Sequence, residues 1–206
     1  MRIERLENSK HRQERVLVHL EDGDILRITG AELLQFGLYQ GLDLPPETLD
    51  ALRKAARRSD TKRRGANIAS GRMLSKKELT ERLTKKGASP EDAADTADWL
   101  EGLGAVNDAA YAGVIVRHYG AMGYGSQRVR QELHRRGVPR ELWEQALEQL
   151  PPPQEAIRKF LQAKLRGRPL MPEDSRRLAA ALQRRGFAWQ DIRPALYELG
   201  QEIDET

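Results

Sequence analysis

Ser75-Lys76-Lys77-Glu78-Leu79-Thr80-Glu81-Arg82-Leu83-Thr84-Lys85-Lys86-Gly87 is the stretch that decides the fold. Leu79 and Leu83 stand one helical turn apart, and Ser75 and Glu78 have the spacing of a capping box. A basic pair then precedes a glycine, the residue that most easily takes the left-handed conformation ending a helix. The pattern returns around Gly137 and Gly186, at spacings of 50 and 49 residues. Four residues before each glycine stand Leu83, Leu133 and Leu182; eight before stand Leu79, Val129 and Leu178. One helix face is therefore apolar each time.

The agreement continues past the glycine. Position +1 holds Ala88, Val138 and Phe187, placed to close a Schellman-type ending against the leucine before it. Positions +10 and +13 hold Ala97, Leu147, Leu196 and Leu100, Leu150, Leu199, which predicts a second amphipathic helix in each copy. A third follows with falling completeness: Asn107 to His118, then Gln154 to Leu165, then only an acidic tail after Gly200. Gly120 to Gly125 punctuates between copies and Pro151-Pro152-Pro153 within one.

Upstream the reading changes. Arg2 to Glu7, Arg15 to Leu20 and Ile25 to Thr29 are short apolar-rich runs, the last two separated by Glu21-Asp22-Gly23-Asp24, a hairpin signal. A short helical piece at Ala31 to Phe36 and a helix opened by Pro45-Pro46 follow. That helix runs into basic sequence with few apolar partners, so it is expected to be either solvated on most sides or a charged connector, interrupted by Gly65 and Gly71.

The expected fold class is mainly α: tandem three-helix repeats forming an elongated curved array, with a small N-terminal β-hairpin or three-stranded segment. The expected divisions are a β-containing segment at 1–52, a basic helical connector at 53–71, and repeats at 72–120, 121–168 and 169–206, the last truncated. Composition agrees: of 206 residues 39% are hydrophobic, 5% aromatic and 32% charged, which suits thin helical layers. No cysteine is present, so disulfides, a thiol nucleophile and cysteine zinc sites are excluded. No apolar run reaches the roughly 18 residues that span a bilayer, and the N-terminus has no apolar signal core, so a cytoplasmic protein without membrane contact is expected.

Charge alternates along the chain. Residues 53 to 86 carry thirteen Lys or Arg against three acids, whereas 87 to 116 carry six acids and no base. Asp92, Asp95, Asp98 and Glu101 read as a solvated acidic face or one that meets a basic partner. His11, His19, His118 and His134 lack metal-binding spacing and a triad neighbour, and Gly120 to Gly125 lacks the Gly-Lys-Ser/Thr ending of a phosphate loop. No catalytic residue, metal or cofactor is expected. Trp143 occupies a repeat position shared with Ala93 and Ile192 and reads as core; Trp99 and Trp189 are less constrained, with packing favoured over base stacking.

The basic pairs have two readings. Cations in a last helical turn oppose the macrodipole, worth about 0.3 to 1 kcal/mol each. Repeated along an array, they also make a stripe suited to phosphates or acidic protein surface. The candidate partner or DNA-binding residues are accordingly Arg72, Lys76, Lys77, Arg82, Lys85 and Lys86 in the first copy, Arg128, Arg130, Arg135 and Arg136 in the second, and Arg176, Arg177, Arg184 and Arg185 in the third.

These residues resemble a known family. Arg72-x-x-Ser75-x-x-Glu78-Leu79, Arg82-Leu83, Lys86-Gly87 and Gly104-Ala105-Val106-Asn107-Asp108-x-x-Tyr111-Ala112 are similar in order and spacing to the RecX proteins. Gly125-x-x-Arg128-Val129-x-x-Glu132-Leu133-x-x-Arg136-Gly137-Val138 and Leu178-x-x-x-Leu182-x-x-Arg185-Gly186-Phe187 resemble the family's later units. The resemblance covers roughly residues 72 to 199. It implies a non-enzymatic protein of DNA repair and the SOS response that binds within the groove of the RecA filament on DNA and limits its ATPase, strand-exchange and coprotease activities; a monomer is expected, with single- or double-stranded DNA as a further direct partner. The alternative read from the residues is an independent DNA-binding protein of helix-turn-helix type.

Overall fold

In a computed structural model, residues 1–9 and 14–201 are described; His11 and the acidic tail from residue 202 lie outside them. Two compact units emerge, Met1–Arg72 with Leu79–Val106, and Met73–Glu78 with Asn107–Thr206.

The first unit begins with an antiparallel meander of β1 (Ile3–Asn8), β2 (Arg15–Leu20) and β3 (Ile25–Thr29). Val16 pairs with Ile28 and Val18 with Leu26, and the alternation sends Ile3, Val18, Leu20 and Ile28 to one fully buried face. Gly23, at φ +84°, makes the turn between β2 and β3 as the Asp-Gly signal predicts. Thr29 and Glu32 then exchange backbone and side-chain bonds in a capping box that starts α1 (Gly30–Gln35).

The interruption expected at Gly65 is a correction, whereas the helix does end at Gly71. Pro46–Gly71 is one unbroken helix, α2, and it packs on β3 and on α4 (Pro90–Gly102). Leu49, Leu52 and Ala56 join the sheet's core, each large side chain contributing about 1.5–3 kcal/mol by burial. Gly65 does not interrupt the helix: a Cβ there would lie 2.5 Å from Thr96 Cγ2 and 3.1 Å from Leu100 Cδ1, so its missing side chain lets α4 approach. Three acids of α4 are met within the same unit. Asp92 and Asp95 both engage Arg58, and Glu91 lies 4.0 Å from Lys54.

All three repeat glycines have left-handed φ, +87° at Gly87, +69° at Gly137 and +89° at Gly186. They end α3 (Lys76–Lys85), α6 (Ser126–Arg135) and α9 (Pro172–Arg184). In each, the next residue donates its N–H to the leucine carbonyl: Ala88 to Leu83 at 3.1 Å, Val138 to Leu133 at 3.0 Å, Phe187 to Leu182 at 3.2 Å. This is the bond of the Schellman ending.

The second unit shows how these helices pack. α5 (Asp108–Ala121), capped by Asn107, closes on α6 and the short α7 (Trp143–Leu147). Tyr111, Ile115, Val116, Val129, Leu133 and Val138 share that core. α8 (Pro153–Leu165) closes likewise with α9 and α10 (Trp189–Gln201) around Ile157, Leu161, Leu182 and Ile192. The helix read as the third of one repeat thus packs as the first of the next core. α7 is cut short because Pro151 disfavours helix at Leu150, and Pro153 supplies the first residue of α8. Trp143 is half-buried in its core with Nε1 donating to Val138 O at 2.9 Å, whereas Trp99 and Trp189 are exposed.

Candidate partner-binding surface

The basic pairs divide by position. The backbone carbonyl of the second member receives a hydrogen bond from an earlier element in every copy. Arg64 Nη1 donates to Lys86 O at 2.9 Å, Ser75 Oγ to Arg136 O at 2.5 Å, and the Gly125 N–H to Arg185 O at 2.9 Å. A helix's last carbonyls have no partner within the helix, so each bond satisfies one of them and fixes a joint. At the last joint the backbones touch: a Cβ on Gly125 would lie 2.3 Å from Gly186 O. At the middle one the stem of Lys77 lies over Gly137.

Two of the second cations are also absorbed by their side chains. Arg136 Nε donates to Glu132 Oε1 at 2.8 Å, and its Nη1 reaches Tyr111 Oη at 3.3 Å and Glu78 Oε1 at 3.5 Å. Glu132 accepts further bonds from Arg135 Nε and Nη2 and is only 4% exposed. The hydrogen bond from Arg135, helped by Arg136 and opposed by burial, holds the Glu132 carboxyl down at about 2. Arg185 lies over the rings of Tyr124 and Phe160, with its guanidinium carbon 5.4 and 4.9 Å from the centroids, and Nη1 reaches the carbonyls of Met122 and Gly123. Arg136 and Arg185 thus have a structural anchoring role that neither dipole capping nor partner contact describes.

The remaining candidates fall into two groups. Arg130 pairs with Glu144, Arg135 with Glu132, Arg177 with Asp174 at 2.6 Å, and Arg128 donates to Gln131 at 3.3 Å. Lys76 gives its backbone N–H to Asp108 Oδ1 at 2.8 Å, and Arg72 stands exposed at the end of α2. Among the described residues, no other group hydrogen-bonds or pairs with the side chains of Arg82, Lys85, Lys86, Arg176 and Arg184. The outward charge of the first and third copies is therefore carried by Lys85, Lys86 and Arg184 at one helix end and Arg82 and Arg176 behind it.

Among the described residues no nucleophile–base pair accompanies these cations. His19 meets Glu7, His118 the edge of Tyr119 and His134 the edge of Trp143, so the described histidines do not converge. Sequence reasoning missed Glu132 and Tyr111 as partners of the pair. The signal was present for Glu132, which stands three and four residues before Arg135 and Arg136, the spacing at which helical side chains meet.

The core of α5, α6 and α7 coincides with the family model described as RecX, second three-helix domain, which matches residues 107–147. A regulatory protein RecX of Pseudomonas putida (strain GB-1) is 33% identical over 130 residues, covering 62% of this chain and 82% of the relative. This chain belongs to the RecX family. A regulatory protein RecX of Caldanaerobacter subterraneus subsp. tengcongensis is 26% identical over 179 residues, spanning 85% of this chain and 89% of its own length. A crystal structure of a regulatory protein RecX shares the fold at a TM-score of 0.76 and 22% identity, with 98% of each chain covered. A RecX crystal structure from Lactobacillus salivarius has a TM-score of 0.64 and 21% identity, covering 70% of this chain and 97% of that one. No described helix of this RecX protein is long and apolar enough to cross a membrane.

Proposed function

We propose that this RecX protein is a non-enzymatic regulator that binds the RecA nucleoprotein filament as a monomer and inhibits its ATPase, strand-exchange and coprotease activities. The observation that carries the reading is the set of outward cations at equivalent helix ends, Lys85, Lys86 and Arg184, in a chain whose relatives are named regulatory proteins. Anchored glycine-ended helices hold Lys85 and Lys86 on the first unit and Arg184 on the second, so a surface rich in phosphate and carboxylate meets each unit's charge without an ordering cost at its helix backbone. RecA polymerised on DNA offers such a surface. The compartment is the cytoplasm, where that filament forms.

The test compares RecA ATPase on single-stranded DNA with wild type and with charge reversals Lys85→Glu/Lys86→Glu and Arg184→Glu. Inhibition is expected to weaken at least about tenfold, because several charge-assisted contacts are lost together. Arg136→Glu is excluded from the set since it would break the network with Glu132. Unchanged inhibition in both reversals would remove the cations from the interface, and no inhibition by wild type would remove the filament as partner. Equally tight binding to naked DNA, with a steep loss on raising salt, would instead make the chain a DNA-binding protein in its own right.

A further inference from the structure

Within the first unit a cleft of about 1370 Å³ opens between β3, α2 and the turn joining α3 to α4. It is larger than the roughly 300–1,000 Å³ of common small-molecule pockets. Arg15 lines it and is only 4% exposed. Its Nη1 donates to Ser59 Oγ at 2.8 Å and to Arg27 O at 3.4 Å, both neutral acceptors. No carboxylate among the described residues pairs with it. A buried guanidinium without a counter-ion is costly, and such groups are ordinarily paired.

The rest of the lining has the same bias. Arg53, Arg57 and Arg64 fall on one face of α2, and each acid nearby is already engaged. Asp24 meets Arg53 at 3.0 Å, and Asp92 is held by Arg58 at 3.5 Å from outside the cleft. Asp60 serves both Arg63 and Arg64, at 2.7 and 2.6 Å. Arg27 and Arg57, both exposed, have no side-chain partner among the described residues. Arg63 Nε is a buried donor with no acceptor among the described residues. An unpaired buried donor costs about 1–3 kcal/mol, which an acceptor oxygen entering the cleft would relieve. Among the described residues no aromatic side chain lines the space, so these give nothing on which to stack a base.

We propose that this cleft is a binding site for phosphate groups, recognised by charge and hydrogen bonding alone, with Arg15, Arg27, Arg57 and Arg63 as its donors. Arg15 and Arg63 supply fixed, desolvated donors at the wall, and Arg27 and Arg57 close on the anion from the rim. The chemistry is shared by free oligophosphates and by the backbone of a nucleic-acid strand. The repeat cations argued above are not among its lining residues, although Gly87, next to Lys86, stands at its edge.

The full chain is titrated with sodium tripolyphosphate, following the thermal midpoint, and with a fluorescent twelve-residue oligothymidylate, following anisotropy. Two variants are compared, Arg27→Gln/Arg57→Gln in the cleft and Arg176→Gln/Arg184→Gln elsewhere. Both pairs are exposed, so folding is undisturbed. At least one probe is expected to bind wild type and to weaken about tenfold or more in the cleft variant but less than twofold in the other. Binding of tripolyphosphate alone assigns a free oligophosphate; binding of the oligonucleotide with a steep salt slope assigns a strand. Failure of both probes, or equal weakening in the two variants, overturns the site. RecA ATPase inhibition is expected to persist in the cleft variant, so a failure here leaves the filament proposal standing, and the reverse.

Discussion

Replacing Glu132 with glutamine leaves its shape and an acceptor oxygen but removes the charge on which Arg135 and Arg136 converge. The wild-type carboxyl moves from 4.5 to about 2 on folding, and at about 1.4 kcal/mol per pH unit that sets a ceiling of roughly 3 kcal/mol. Arg135 is 64% exposed, so solvent screening brings the expected loss at pH 7 to about 2 kcal/mol. Because the folded-state value is depressed, this stability is fully present above the ordinary carboxylate range. It is lost as pH falls from about 4.5 toward 2. The assay is urea unfolding of both proteins at several pH values, read by Trp143 fluorescence with Trp99 and Trp189 changed to Phe. The gap is expected to be about 2 kcal/mol at pH 7 and to shrink toward zero near pH 2. A gap of the same size at both ends, or none at pH 7, would refute the assignment of Glu132 as the charged centre of the joint.

Two glycines give steric tests with opposite naive expectations. Gly65→Ala would gain about 1 kcal/mol from helix propensity alone, but the Cβ would stand 2.5 Å from Thr96 Cγ2, so a net loss of about 1–3 kcal/mol is expected. Thr96→Ser should restore part of it, and a raised thermal midpoint for Gly65→Ala would contradict the packing. Gly125→Ala, at an ordinary φ of −82°, puts a Cβ 2.3 Å from Gly186 O, a backbone atom that cannot swing aside. A loss of about 2 kcal/mol or more in urea unfolding is expected, and an unchanged midpoint would mean that the backbones do not touch.

Local signals were legible wherever one segment determined its own conformation. The three strands, the Asp-Gly turn and the three glycine-ended helices follow from periodicity and backbone freedom, which act over a few residues. What was not legible depended on contacts between distant segments. Nothing near Gly65 tells a packing glycine from a helix breaker, because the reason is Thr96 and Leu100, over thirty residues away. The basic stretch of α2 read as solvated because its counter-charges, Asp92 and Asp95, lie on α4. The same limit applies to the surface. A basic pair looks alike whether both members face solvent or one is held by Tyr124 and Phe160, as Arg185 is. Arg15 was read only as the first residue of a strand, and its burial comes from the helix laid beside it.

The three joints share an acceptor but not a donor. A guanidinium fills the first, a hydroxyl the second and a backbone amide the third, each on the carbonyl of the residue before glycine. The socket thus belongs to the main chain, present whatever side chain stands there, while the plug is free to vary. A gene that duplicates or loses one whole unit leaves a usable socket at the new boundary, needing only a single donor to engage it. Length in such a chain is an evolvable property in steps of about fifty residues, and where the cation beside a socket has no partner among the described residues, as at Lys85 and Arg184, its identity is left open to selection by whatever surface it faces.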